Sequence, residues 1–428
     1  MADRFAGSRA QHERAARTLA GGVATAFRAA QQPVPICFVS GRGSRLTDID
    51  GNTYVDWSLG WGPLLLGHSP ESVLEAVRRQ LGRGLGYGAS HELEAELAEA
   101  VCRTVPSIER CVFNSTGSEA VHAAVRIARA ATGRNRVIKF QGHYDGWYDP
   151  LHVGVSGKDI DAPGTAGQDP AASASVTVCP WNDLPALQMA IGPDVAAVIM
   201  EPVAMNAGCL TAPADYFSAV RKLVDRVGAV LIFDEVITGY RLALGGAQEL
   251  LGVLPDLTIL GKALGGGFPI SAVGGRADVM AEVASGHVAH VGTFNANPVC
   301  ASAALAAVTE LERTAATTYP RLARLGDGLA HLIREEAAEA GAPLVVNSVG
   351  GVGYAFVGDG PMDTYPDTLR NDAPAYRRFT GALMSEGVQF MPKGLLYVST
   401  VHSDEELAIT RQAVRNALKT GVLDTGRQ

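Results

Sequence analysis

Residues 229–235 read Ala-Val-Leu-Ile-Phe-Asp-Glu, a continuous apolar run that ends abruptly in two acidic residues. The pattern also occurs earlier in the chain, where the apolar run Val195–Met200 is followed by Glu201. Such runs are typical of strands buried on both faces of a parallel sheet that helices cover. Because open α/β sheets bind ligands at the carboxyl ends of their strands, Glu201 and Asp234 are candidates for a functional site.

Helical and extended patterns alternate around these two runs. Helical spacing of apolar residues predicts helices over 72–81, 93–105 and 119–131. Short apolar runs predict strands over 111–113 and 137–140. Nearer the start of the chain, Asp50-Gly51 separates two extended segments, 45–49 and 52–56, and predicts a hairpin.

This pattern predicts an α/β fold, with a large doubly wound domain whose sheet is mostly parallel. A smaller α+β domain is expected from the two ends of the chain, where long helices and a few strands follow residue 309. The predicted boundaries are 1–58 for the N-terminal part of the small domain, 59–308 for the large domain and 309–428 for the C-terminal part.

The composition excludes several other classes of protein. Hydrophobic residues make up 47% of the 428 residues and charged residues 19%, so disorder or coiled coil cannot be the main architecture. The net charge of −8, with no basic run, disfavours nucleic acid and anionic membranes as partners.

The cysteines and the N-terminus indicate the cellular compartment. The six cysteines form no CxxC pair and have no zinc-ligand spacing with histidine, which predicts reduced thiols and no metal site. Residues 1–17 contain no apolar segment typical of a secretory signal, and the apolar runs are too short to span a bilayer. We therefore expect a cytoplasmic protein.

A loop suited to anions lies at residues 114–120, which read Asn-Ser-Thr-Gly-Ser-Glu-Ala between a predicted strand and a predicted helix. Backbone N–H groups and the helix dipole favour a phosphate at such a helix start. Ordinary capping by serine or threonine explains the same residues and is the commoner case.

Asp234 and Lys262 are the two residues best suited to chemistry. A carboxylate at the end of a buried strand needs a partner, and a pyridinium N–H would serve, although a structural cap or ion pair would too. Lys262 lies between an apolar run and the glycines of residues 265–267. Desolvation lowers the pKa of an amine and suits it to Schiff-base formation, whereas a solvated surface lysine is the alternative.

Together these features resemble the class III, pyridoxal-phosphate-dependent aminotransferases of the fold-type I superfamily. Within that class, the sequence most resembles the glutamate-1-semialdehyde 2,1-aminomutases. The resemblance covers nearly the whole chain and includes the matching segments 21–23, 48–52, 61–63, 66–68, 142–146, 201–203 and 292–298.

The resemblance implies a role for each matched residue. Lys262 would bind the cofactor covalently and shuttle the proton, and Asp234 would keep the pyridine nitrogen protonated. The other implied cofactor contacts are Thr116, Gly117 and Ser118 at the phosphate, Tyr144 and Val236 on the two ring faces, and Glu201 and Asn206 near the phenolic oxygen. Tyr144 and Val236 are also explained by core packing alone.

Three further residues are implied at the substrate and subunit boundaries. Arg28 would bind a substrate carboxylate through its two-pronged guanidinium, and Trp61 would lie on the substrate side. Thr293 would reach the phosphate of the neighbouring subunit, which implies a homodimer with shared sites. The cofactor would alternate between its pyridoxal and pyridoxamine forms.

Departures from the aminomutase pattern lie mostly on the substrate side. Residues 24–26 are Ala-Thr-Ala where Asn-Ser-Pro is usual, Asp145 replaces a histidine, and the glutamate expected after Pro392 is missing. We therefore expect an aminotransferase moving an amino group from a donor to a carboxylate-bearing keto or aldehyde acceptor. The alternatives are the 2,1-aminomutase, an isomerase, and a non-catalytic relative kept for binding, which Lys262 disfavours.

Overall fold

The computed structural model describes residues 3–423, and the chain divides into two compact units. The central unit comprises Glu71–Tyr319 and Thr364–Leu369. The terminal unit comprises the residues up to Pro70, Pro320–Asp363 and those from Arg370 onward.

The helices and strands are numbered here in chain order. The helices are α1 (Ala6–Ala15), α2 (Glu71–Leu81), α3 (Glu92–Thr104), α4 (Gly117–Thr132), α5 (Leu184–Ala190), α6 (Ala214–Val227), α7 (Ala247–Leu251), α8 (Ala277–Ala284), α9 (Pro298–Ala340), α10 (Tyr365–Thr368), α11 (Ala373–Ser385) and α12 (Asp404–Lys419). The strands are β1 (Phe38–Arg42), β2 (Arg45–Asp48), β3 (Thr53–Asp56), β4 (Arg110–Asn114), β5 (Arg136–Phe140), β6 (Val176–Cys179), β7 (Val195–Met200), β8 (Val230–Asp234), β9 (Leu257–Leu260), β10 (Ser271–Gly275), β11 (Leu344–Val349), β12 (Val352–Val357), β13 (Val388–Gln389) and β14 (Leu395–Tyr397). Short 3-10 helices cover Ala20–Gly22, Ala26–Ala30 and Lys262–Gly265.

A seven-stranded sheet forms the core of the central unit, in the order β4-β10-β9-β8-β7-β5-β6. Within the sheet, the five adjacent strands β9, β8, β7, β5 and β6 run parallel to one another, whereas β10 runs antiparallel to both of its neighbours, β9 and β4. The predicted α/β class with a mostly parallel sheet is confirmed.

Both faces of this sheet are buried, which explains the continuous apolar runs. Ile199 and Ile232 pack in one cluster with the apolar side of α4. Val198 and Phe233 pack in a second cluster with Phe217 of α6. Because side chains alternate between the faces of a strand, every position of β7 and every position of β8 before the terminal Asp234 must be apolar.

The terminal unit contains two small sheets, in the orders β1-β2-β3-β13 and β11-β12-β14. The predicted hairpin at Asp50-Gly51 joins the antiparallel strands β2 and β3, and Gly51 takes a φ of 83° there. Within residues 3–423, no helix combines the length and apolar character needed to cross a membrane.

The chain passes from one compact unit to the other at slightly different residues from the predicted domain boundaries. One change falls after Pro70 rather than after residue 58, and the next falls inside α9 at Pro320 rather than after residue 308. Helix α9 runs without interruption across the second predicted boundary, so helical patterning carried no signal of it.

Candidate active site

The acidic residues after β7 and β8 lie at one edge of the central sheet. Met200 pairs with Phe233 in the parallel ladder, so Glu201 and Asp234 follow at equivalent positions. Their side chains are almost completely buried. The predicted placement of both acids at the carboxyl ends of strands is therefore correct.

A cavity of about 260 Å³ opens at this edge. It contacts nine residues that the sequence singled out, namely Thr116, Gly117, Ser118, Tyr144, Glu201, Asn206, Asp234, Val236 and Lys262. These residues come from five separate parts of the chain, and the fold brings them together within the central unit.

The start of α4 forms one wall of the cavity. Thr116 caps the helix in a reciprocal capping box, since Glu119 N donates to Thr116 Oγ1 and Thr116 N donates to Glu119 Oε2 at 2.7 Å. The Glu119 carboxylate also accepts a hydrogen bond from Ser115 N. The N–H groups of Gly117 and Ser118 lie in the first helical turn, where they have no partner within the helix. These two groups, rather than those of Thr116, are therefore available to a phosphate.

Close packing explains why residue 117 is glycine. A Cβ built on Gly117 would lie 3.2 Å from Val236 Cγ2, which is tighter than ordinary van der Waals contact. The missing side chain leaves room for an anion to approach the backbone, and Val236 lines the cavity next to it.

Lys262 begins the 3-10 helix that follows β9 and adopts a φ of 42°. A residue with a side chain rarely adopts this left-handed conformation, and such backbone strain concentrates at functional sites. The lysine is half-buried and lines the cavity, so the alternative of a solvated surface lysine is not what the structure shows.

The electrostatics of Asp234 call for a positively charged partner. Burial raises the pKa of its carboxyl well above the usual range, Asp145 and Glu201 raise that pKa further, and Lys262 opposes the shift. Val236 N donates to Asp234 Oδ1 at 3.0 Å. A ligand N–H or cation in the cavity would relieve the cost of burying this carboxylate.

Glu201 organises the opposite wall. Its Oε1 accepts hydrogen bonds from Tyr144 N at 2.8 Å and from Asn206 Nδ2 at 3.0 Å, and its Oε2 accepts one from Asn206 N. Glu201 N donates to His143 Nδ1, which fixes the unprotonated nitrogen of that ring. Burial raises the pKa of Tyr144, so its phenol stays neutral.

The donor set fits a phosphorylated aromatic ring that carries a cationic nitrogen. Two helix-start N–H groups can bind the phosphate, an aromatic and a branched side chain line the space for a ring, and a buried carboxylate can pair with a ring N–H. An amine for covalent attachment is present in the same cavity.

Three of the predicted site residues lie outside this cavity. Thr293 belongs to an exposed segment of the central unit, residues 291–294, and does not line it. Arg28 and Trp61 belong to the terminal unit, where both line a cavity of about 720 Å³. There the rings of Phe27 and Trp61 contact each other edge-on, with their centroids 5.3 Å apart.

Several features that line the site or support it were not expected from the sequence. Phe268, Pro269 and Ile270, which line the cavity, follow the glycine run and carried no separate motif. Behind the cavity, Lys139 and Asp145 form a fully buried ion pair. A lysine inside the apolar strand β5 was the available signal.

Comparison with known proteins identifies the family. The family model for class-III aminotransferases matches residues 26–420. A curated relative, the glutamate-1-semialdehyde 2,1-aminomutase of Sorangium cellulosum, is 41% identical, with 97% of each chain covered.

Solved structures agree with this match. An ω-transaminase from Sphaerobacter thermophilus superposes with a TM-score of 0.90 at 36% identity, covering 96% of this chain and 97% of its own. A structure described as a transaminase with PLP bound superposes with a TM-score of 0.91 at 32% identity, covering 99% of both chains.

The fold and the site define a class of enzymes that transfer amino groups, and the resemblance seen in the sequence is confirmed. The chain belongs to the class-III aminotransferase family.

Proposed function

We propose that this chain catalyses the glutamate-1-semialdehyde 2,1-aminomutase reaction, with pyridoxal phosphate as its cofactor. The amino group at carbon 2 of the substrate is moved to carbon 1 of the same molecule, which gives the isomer 5-aminolevulinate. The observation that carries the proposal is that curated relatives of this name are 37–41% identical over at least 90% of the chain. This evidence favours the intramolecular shift over the two-substrate reaction expected from the sequence.

Bound pyridoxal phosphate supplies an electron sink that stabilises negative charge on the substrate carbon. Lys262 holds the cofactor covalently and moves the proton between carbon atoms. Asp234 keeps a proton on the ring nitrogen, and the buried site strengthens that pairing because water cannot screen it.

The other residues of the cavity position the cofactor. The N–H groups of Gly117 and Ser118 bind its phosphate, supported by the helix dipole of α4. Tyr144 and Val236 would restrain its ring. Glu201 and Asn206, which are hydrogen-bonded to each other, would hold the side of the cofactor that carries the phenolic oxygen.

A two-substrate transamination is the second candidate, and particular residues favour it. An aminomutase must retain its diamine intermediate while both ends are fixed by polar groups. The chain has Ala24 and Ala26 in place of more shaped residues, and Lys393 follows Pro392 where a glutamate is expected. An enzyme that releases its first product does not need such retention.

Two incubations distinguish the candidates. The holoenzyme with glutamate-1-semialdehyde alone should form 5-aminolevulinate without an external donor if the aminomutase proposal is correct. If instead a donor alone yields stoichiometric keto product and pyridoxamine phosphate, and initial rates give parallel double-reciprocal lines, the enzyme is a transaminase. Absence of 5-aminolevulinate in the first incubation would refute the main proposal.

For substrate binding we propose Arg28 and Trp61. The cavity that they line in the terminal unit combines a guanidinium with an aromatic pair, Phe27 and Trp61. This combination suits a substrate with a carboxylate and an apolar body.

A homodimer with Thr293 acting across the interface is a further proposal. The segment around Thr293 exposes Val291 (83%) and Phe294 (69%). Next to it, Leu85 is also exposed, and its carbonyl accepts a hydrogen bond from Asn297 Nδ2. A contiguous exposed apolar surface of this kind is typical of an interface between subunits.

We also propose that the protein is cytoplasmic. All six cysteines are free thiols in the structure, as expected for a reducing compartment.

A further inference from the structure

A buried ion pair lies behind the walls of the active-site cavity. Lys139 Nζ of strand β5 is 3.2 Å from Asp145 Oδ2, and neither side chain has any exposed surface. The ammonium also donates hydrogen bonds to the carbonyls of Leu151 at 2.7 Å and His143 at 3.1 Å. Among residues 3–423, no group donates a hydrogen bond of good geometry to either oxygen of Asp145.

Stability alone does not explain this pair. Taking two charges out of water costs several kcal/mol per ion, and apolar residues of similar size are often equally stable in such places. A carboxylate without hydrogen bonds is the costlier member, since the two carbonyls replace water only around Lys139. Buried charges of this kind cluster at functional sites.

The position of Asp145 in the chain connects the pair to the cavity. Its neighbours Tyr144 and Gly146 both line the cavity, and Tyr144 N donates to Glu201. The carbonyls that hold Lys139 belong to the same stretch of chain, residues 143–151. The lysine therefore fixes the segment that places the Tyr144 ring.

The negative end of the pair acts on the acids of the active site. Burial raises the pKa of both Asp234 and Glu201, and Asp145 raises it further; burial lowers the pKa of His143, and Lys139 lowers it further. Among the described residues, the other charged or titratable groups that interact with Asp234 are Glu201, Lys262 and Tyr144. Around the pair itself lie Tyr148, His152, Asp149, Arg126 and Arg129.

We propose that Lys139 and Asp145 are positioning residues of the cofactor site: the Asp145 carboxylate biases Asp234 toward holding a proton at the cofactor ring, and the Lys139 ammonium sets the strength of that bias and fixes the Tyr144 segment. The inference rests on the proposed function only in that pyridoxal phosphate binds in this cavity. It does not depend on which amino transfer follows.

Loss of either charge of the pair should therefore make a proton on the bound cofactor less favourable. Asp145→Asn removes the negative charge with little change of shape. Burial raises the pKa of Asp145 and Lys139 opposes that shift, so in Lys139→Met the buried carboxyl takes up a proton and its negative charge is lost as well. Lys139→Arg keeps the counter-charge and should leave the bound cofactor close to wild type, whereas a purely structural role would disturb the site in both Lys139 variants.

The test is a spectrophotometric pH titration of each holoenzyme without substrate. The absorbance band of the bound cofactor changes as it gains or loses a proton. We expect the midpoint to fall by about one pH unit in both Asp145→Asn and Lys139→Met, and to stay near the wild-type value in Lys139→Arg. The double variant Lys139→Met/Asp145→Asn should also lie below the wild type, because it has lost the same negative charge.

Asp149→Asn is the matched control, since it makes the same change four residues away at a partly exposed position. Shifts no larger than in this control, or a shift in Lys139→Arg as large as in Lys139→Met, would overturn the inference. If Asp145→Asn does not fold, the double variant is titrated in its place, because it has no uncompensated buried charge. A titration midpoint of the double variant equal to that of the wild type then overturns the proposal. A wild-type protein that binds no pyridoxal phosphate would refute the proposed function as well, whereas normal binding without these shifts would refute only this inference.

Discussion

A single methyl group added at residue 117 should weaken cofactor binding while leaving the stability of the cofactor-free protein almost unchanged. In Gly117→Ala the new Cβ would lie 3.2 Å from Val236 Cγ2 and 3.4 Å from Cγ1, so Val236 must move by a few tenths of an ångström. That movement displaces a wall of the 260 Å³ cavity. Overpacking of this degree costs about 1–2 kcal/mol, and we expect most of it to appear when the cofactor fills the site. Pyridoxal phosphate should therefore bind about ten-fold more weakly.

The stability of the cofactor-free protein should change little. Alanine is favoured over glycine in helices by up to about 1 kcal/mol, which offsets the crowding while the cavity is empty. Fluorescence titration of the apoenzyme with pyridoxal phosphate gives the affinity, and thermal unfolding of the same sample gives the stability. Gly82→Ala is the control, because its new Cβ would meet only a carbonyl oxygen at 3.5 Å. Unchanged affinity in Gly117→Ala, or equal weakening in the control, would refute the assignment of the α4 start as the phosphate site.

Three other features give predictions of their own. Borohydride reduction of the holoenzyme followed by peptide mapping should place the cofactor on Lys262, and a label on another lysine would contradict the mechanism. The variant Asp234→Ala should still bind the cofactor weakly but lose most turnover, because the ring nitrogen loses its carboxylate partner. Mixing inactive Lys262→Ala subunits with inactive Thr293→Ala subunits should restore activity through one intact site per mixed dimer, and no recovery despite confirmed subunit exchange would argue against a shared site. Burial lowers the pKa of His402 to about 4 from 6.5, so the unfolded chain takes up this proton first as the pH falls. The free energy of unfolding, measured in urea, should therefore decrease by up to about 3 kcal/mol as the pH falls from above 6.5 to 4. In His402→Gln this part of the pH dependence should be absent.

The central sheet was predictable because its strands carry a strong local signal. Strands β7 and β8 are buried on both faces, so their residues are apolar up to the acids, which are Glu201 directly after β7 and Asp234 at the end of β8. Strand β10 was not predicted, since Ser271-Ala272-Val273-Gly274-Gly275 contains small residues and glycines. Those glycines are required by close packing: a Cβ on Gly275 would collide with the carbonyl of Asp256 on the neighbouring chain segment.

The site was predictable wherever one residue type has a distinctive chemical use. Lys262 and Asp234 stood out because a lysine or a carboxylate next to a buried strand is costly without a purpose. Thr116 was expected at the phosphate, yet its N–H and hydroxyl are engaged with Glu119 in the capping box. Helix capping therefore explains the N–H group and hydroxyl of Thr116, whereas phosphate binding is proposed for the N–H groups of Gly117 and Ser118 at the same helix start. Asp145 stood out in the sequence only as a departure from the aminomutase pattern, and its pairing with Lys139 was missed because the pair forms only when the chain is folded.

The residues that we propose for the chemistry differ in kind from those that we propose for choosing the substrate. Lys262, Asp234 and Glu201 lie at strand ends of the central unit, and an intramolecular shift and a two-substrate transfer can both use them. Arg28 lies in the terminal unit, next to residues that depart from the aminomutase pattern. Because a difference of one methylene in a pocket is worth only about 1–3 kcal/mol, a few changes there can alter substrate choice without touching the cofactor site. The proposed cofactor site therefore lies wholly in the central unit, and we expect the choice between the two reactions to depend on whether the substrate side can retain its intermediate.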